Sequence, residues 1–194
     1  MRIFRLTFDS AYRSLKLADP SLLHTPVLQF DSTARATTWT PIALALADAQ
    51  DSDKPEPNFW RVHGLPVSFA CSARLADDPA IEWAGGEQLA VHYSNLPFIL
   101  NNATEQSCYD ALDVACCEWP SGIAGVGVPS KYAFRITSSG LPRVGSPTIF
   151  TVPETCMSEL YVYEYEGDPD EEFKAKVEEE GLTGLVFEKI WHEN

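Results

Sequence analysis

Cys116 and Cys117 stand side by side, and four histidines (His24, His63, His92 and His192) are scattered through the chain. A nucleophilic cysteine needs a base in reach, and His63 or His92 could supply one only through the fold. Buried structural thiols are the plainer expectation. Zinc would want C-x2-C pairs with further Cys or His pairs, or two histidines at i and i+4, and neither spacing occurs. SGIAGVGVPS (121–130) lacks the lysine of a phosphate loop and the order of a dinucleotide fingerprint, so it reads as a plain loop. Asp110 and Asp113, three apart, could share a helix face as paired carboxylates, or simply face solvent. No catalytic residue, metal or cofactor is expected from these patterns.

Charge is the sharper signal. The 194 residues carry 28 acids against 14 lysines and arginines, a net of -14. Such a chain repels nucleic acid and anionic membrane and attracts basic partners. Half of that net charge lies in EYEGDPDEEFKAKVEEE (164–180). Its acids are Glu164, Glu166, Asp168, Asp170, Glu171, Glu172, Glu178, Glu179 and Glu180. They form either a solvated helical face or a surface that steers a basic partner into register. The last three fall in the final helical turn, against the negative end of the helix dipole. Folding alone does not ask for them there.

The elements that must position these groups read as α+β. The chain should build a mixed or antiparallel sheet with a few short helices, then a C-terminal helix and a closing strand. RIFRLTF (2–8) alternates as a strand. TPIALALADA (40–49) reads as a short helix, with Thr40 as cap and Pro41 at its first position. DAQDSDKPEPN (48–58) is a linker candidate, dividing an N-terminal lobe (1–88) from a C-terminal domain (89–194). GLPVSFACS places Val67, Phe69 and Cys71 on one strand face. LAVHYSNLPFIL (89–100) is a strand entering a bend at Asn95 and Pro97. CYDALDVACCEW (108–119) fits either a helix or a strand. KYAFRIT (131–137), TIFTVP (148–153) and MSELYVYEYE (157–166) read as strands, with SSGLPRVGSP (138–147) as a turn.

The final helix has Asp168 as N-cap, Pro169 at its first position and Gly181 as the residue that ends it. Leu185, Phe187, Ile190 and Trp191 then look like core. Tyr161, Tyr163 and Tyr165 alternate on one strand, as interface anchors or as packing under that helix. No apolar leader segment and no 18-residue apolar run is present. Five cysteines, an odd number, fit reduced thiols in a cytoplasm.

Over residues 89–191 the order of these segments resembles a bacterial family of immunity proteins from polymorphic toxin systems. The resemblance rests on Asp110, Leu112 and Asp113, on Ile149, Phe150 and Pro153, and most specifically on the closing GLTGLVFEKIW from Gly181. It implies a non-enzymatic, cytoplasmic inhibitor that binds a cognate toxin or effector with a basic surface, possible targets including nucleases. A cysteine-dependent enzyme and a non-inhibitory adaptor of effector machinery are the alternatives.

Overall fold

Alternating apolar residues pair into two sheets in the computed structural model, which describes residues 1–25, 28, 33–48, 52–78, 81, 84–104, 109–135, 148–155, 158–168 and 170–193. The strands are β1 (Arg2–Phe8), β2 (Leu15–Leu17), β3 (Ile42–Leu46), β4 (Phe59–Trp60), β5 (Val62–His63), β6 (Ser68–Ser72), β7 (Glu87–Tyr93), β8 (Leu96–Asn102), β9 (Ile149–Phe150), β10 (Leu160–Glu164) and β11 (Leu185–His192). One α-helix among the described residues, α1 (Phe173–Glu179), precedes β11. The fold is α+β, with the helix followed by the closing strand.

The first sheet is antiparallel, in the order β11-β1-β10-β9. The second runs β4-β6-β8-β7-β3-β2-β5 and is mixed, with β3–β7 and β2–β5 parallel. Its two ends, β4 and β5, are halves of one segment interrupted only by Arg61. The sheet therefore curls until both edges meet on Phe59–His63 and closes as a small barrel. Closure leaves no long edge open to foreign strands.

Two cores follow. The larger joins barrel side chains such as Phe59, Phe69, Val91 and Leu100 to Leu160 and Val162 of β10 and to Phe173 and Val177 of α1. The smaller lies on the other face of β10. There Tyr161 and Tyr163 pack with Phe150, Tyr132, Phe134 and Leu112. These tyrosines are buried and are neither interface anchors nor a layer under the helix. Tyr165, beyond the strand, is half-buried.

Several local expectations change. Residues 42–46 form β3, not a helix. Their Ala–Leu run favours helix intrinsically, but pairing with β2 and β7 completes the barrel and overrides that preference. The bend at Asn95 is a two-residue hairpin turn, with Ser94 and Asn95 both at positive φ (50° and 63°). Residues 109–119 are neither helix nor regular strand. They make single bridges, Leu112 to Phe134 and Glu118 to Lys131, around a turn at Val114–Cys116. Ile136 and the turn at 138–147 lie outside the described residues.

The two expected parts are not separated by strand pairing. The boundary at 88/89 falls inside β7, and β1 lies between β10 and β11. The linker candidate is bound into the fold as well. Pro55 accepts the Arg13 N–H (3.1 Å), and Asn58 exchanges hydrogen bonds with Thr183 (2.9 and 3.3 Å). Residues 49–51 lie outside the described part.

Candidate functional site

The nine acids of the segment fall into three groups by their contacts. Glu172 is buried, and its carboxylate accepts the backbone N–H groups of Tyr165 (2.8 Å), Glu166 (2.9 Å) and Gly167 (2.9 Å). Holding that turn keeps Glu172 extended, so the helix starts after it at Phe173. Asp168 is thus not the N-cap. It makes a local turn, accepting the Asp170 N–H at 2.9 Å, and Pro169 lies outside the described residues. Glu164 is also buried, with Lys174 at 3.3 Å and Arg2 at 2.8 Å. The Arg2 contact is electrostatic, because Glu164 Oε2 gains no directed hydrogen bond from it.

The three glutamates at the helix end have cations of their own. Lys174 binds Glu178 at 2.7 Å, and Lys176 binds Glu179 at 3.1 Å and Glu180 at 2.9 Å. These i,i+3 and i,i+4 pairs offset the unfavourable dipole. Gly181, at φ 62°, then ends the helix. Its N–H reaches the Glu178 carbonyl (3.3 Å) and the Leu182 N–H reaches that of Val177 (2.9 Å).

Four acids remain: Glu166, Asp168, Asp170 and Glu171. All are exposed, and none forms an ion pair among the described residues. Glu166 lies in the turn whose backbone Glu172 secures, and the other three follow it in the chain. Of the nine acids expected at the surface, four thus form an exposed arc along residues 166–171 with no ion pair among the described residues, three are paired along the helix and two are buried.

The three described thiols all have raised pKa values. Burial pushes the Cys71 thiol up to about 12. Cys116 is exposed, and its hydrogen bond to Asp113 raises its pKa. Cys117 is raised chiefly by burial, and its sulfur receives the Ala133 N–H at 3.3 Å. Cys108 and Cys156 lie outside the described residues. Asp110 and Asp113 share no helix face. Asp110 pairs with Arg135 at 3.0 Å. Burial, then the neighbouring Asp110, raises the Glu154 pKa. Among the described residues, no group of three His, Cys, Asp or Glu could hold a metal ion.

Two features escaped sequence reasoning. One is a buried polar knot around Glu159. Its carboxylate accepts hydrogen bonds from Tyr161 (2.6 Å), Tyr132 (2.8 Å) and Arg5 (3.1 Å). Burial first, and then Glu159, holds both phenols well above their usual pKa. The other is a cleft of about 410 Å³ lined by Arg5, Phe8, Arg61 and Glu159 among others. A neighbouring hollow of about 190 Å³ shares Phe8 and Arg61 with it. Their residues come from distant parts of the chain, and no local motif marks them.

No known family model matches this chain, and no curated protein matches it significantly.

Proposed function

We propose that the protein binds and neutralises a cognate toxin or effector inside the cell, acting as an immunity protein without chemistry of its own. The observation that carries this reading is the arc of Glu166, Asp168, Asp170 and Glu171. Four carboxylates lie close in sequence, exposed and with no ion pair among the described residues, beginning on a turn fixed by the buried Glu172. Like charges held together cost folding free energy, and a basic partner surface would relieve that repulsion. The net charge of -14 extends the same field. Glu178 and Glu179, exposed but already paired, would border the contact. The mechanism is occlusion of the toxin's active site or substrate groove. A toxin that handles nucleic acid would present a suitably basic cleft. The resemblance of residues 89–191 to immunity proteins supports the same reading. Raised thiol pKa values give no support to a cysteine-dependent enzyme.

The test is co-expression with the toxin encoded beside this chain, followed by binding kinetics on the purified pair. Replacing Glu166, Asp168, Asp170 and Glu171 by lysine should slow association about tenfold or more at low salt and flatten its salt dependence. Unchanged association with the toxin would remove the acidic arc from the interface. Continued death of the co-expressing cell would reject immunity altogether and favour an adaptor.

A further inference from the structure

We infer that the paired clefts around Arg61 bind the phosphate group of a small organic phosphate. The inference uses none of the acids in the proposed toxin contact and stands or falls apart from it.

Across the chain, acids outnumber lysines and arginines 28 to 14. Arg5, Arg13, Lys54 and Arg61 line the two clefts with Asp9 and Glu159. Arg5 is paired with Glu159 and Glu188 and Arg13 with Glu56, whereas Arg61 forms no ion pair among the described residues. The two acids of the lining are engaged as well. Asp9 accepts the Ala11 N–H at 2.9 Å, and Glu159 takes Arg5 and two tyrosine hydroxyls. His63 and Ser14 add polar donors, Ser14 Oγ lying 3.0 Å from His63 Nε2.

One guanidinium has capacity to spare. Arg61 is exposed and forms no ion pair among the described residues. It lines both hollows, at the point where the barrel closes between β4 and β5. Arg13, beside it, is already held by Glu56 at 2.7 Å and by the Ser52 carbonyl. Guanidinium groups suit phosphate because they offer several donors in a fixed fork.

The larger hollow argues for an organic body. Leu6, Phe8, Val62, Leu65, Pro66 and Leu160 contribute apolar surface beside the basic end. Its volume, about 410 Å³, lies within the usual range for small-molecule sites. A ligand would lay its body there and its phosphate toward Arg61.

The test is calorimetric titration of the full chain with inorganic phosphate and with phenyl phosphate at matched ionic strength. Phenyl phosphate should bind at one saturable site, about tenfold tighter than inorganic phosphate. Arg61→Glu should weaken that binding at least about tenfold, with circular dichroism showing the fold intact. Arg74→Glu, a reversal of an exposed arginine that lines neither hollow, should leave it unchanged. No saturable binding in the millimolar range, equal affinity for the two probes, or equal weakening by both substitutions would each overturn the proposal.

Discussion

At Glu172 the carboxylate accepts three backbone N–H groups, whereas Glu171, one position earlier, faces water. Glu172→Ala should therefore cost about 3 kcal/mol, since three backbone donors lose a charged acceptor at once. Glu171→Ala should stay within about 0.5 kcal/mol of the parent. Urea denaturation separates the two, and equal losses would refute the assignment. Glu154 supplies a pH test. Its folded pKa is raised, so the neutral form suits the fold, and stability is lost as pH climbs from 4.5 through the folded value. Glu154→Gln should raise the melting temperature at pH 7 and give no gain near pH 4. The phenols act the same way at higher pH. Tyr161 and Tyr132 are held above the ordinary value of 10.0, so their contribution is complete below it and declines above it. Unfolding monitored by phenolate absorbance should show that decline. The sequence displayed the density of acid but not its partition. Lys174 and Lys176, at helical spacing from Glu178 and Glu180, are the signal that explained the helix end. The burial of Glu164 and Glu172 depends on β1 and on a turn, which no local spacing reports.

Among the elements, several strands were legible: β1, β6 and β10 lie within segments read as strands, and β7 and β8 overlap the segment 89–100, each overrunning it by two residues. The helix end was legible too, because Gly181 takes the left-handed conformation that stops it. Its start was not. Asp168 and Pro169 look locally like a cap, but the backbone N–H groups of residues 165–167 claim Glu172 and delay the first turn. β3 was misread because alanine and leucine prefer helix when nothing pairs with them. β11 tempers another expectation. Leu185, Phe187, Ile190 and Trp191 are half-buried along an edge strand rather than fully inside. β11 still covers the whole length of β1, from Arg2 to Phe8. Removing residues 185–194 should strip that edge and expose Phe173, which stacks edge-on to Phe187 at 6.2 Å. A truncated chain with an unchanged melting temperature would contradict this.

For the whole molecule, the decisive contact is where GLTGL meets the barrel. Phe59 N–H donates to the Thr183 carbonyl at 3.0 Å, and Asp9 N–H donates to that of Gly184 at 3.1 Å. A Cβ on Gly184 would lie 2.1 Å from the Phe59 carbonyl oxygen, and its φ is 101°. Gly184→Ala should therefore destabilise the fold by about 3 kcal/mol or more. Thermal unfolding would register the loss, and a neutral substitution would mean the two sheets are not clamped there. This is the physical content of the closing motif: it fastens one sheet to the barrel. The same topology governs how the chain reaches its fold. Arg5 in β1 meets Glu188 in β11 across 183 residues, and Asn58 meets Thr183 across 125. Loop closure over such spans comes late and slowly. During synthesis β1 must wait, both edges unpaired, until β10 and β11 have emerged. That interval is the chain's period of greatest exposure to misassembly and to chaperone capture.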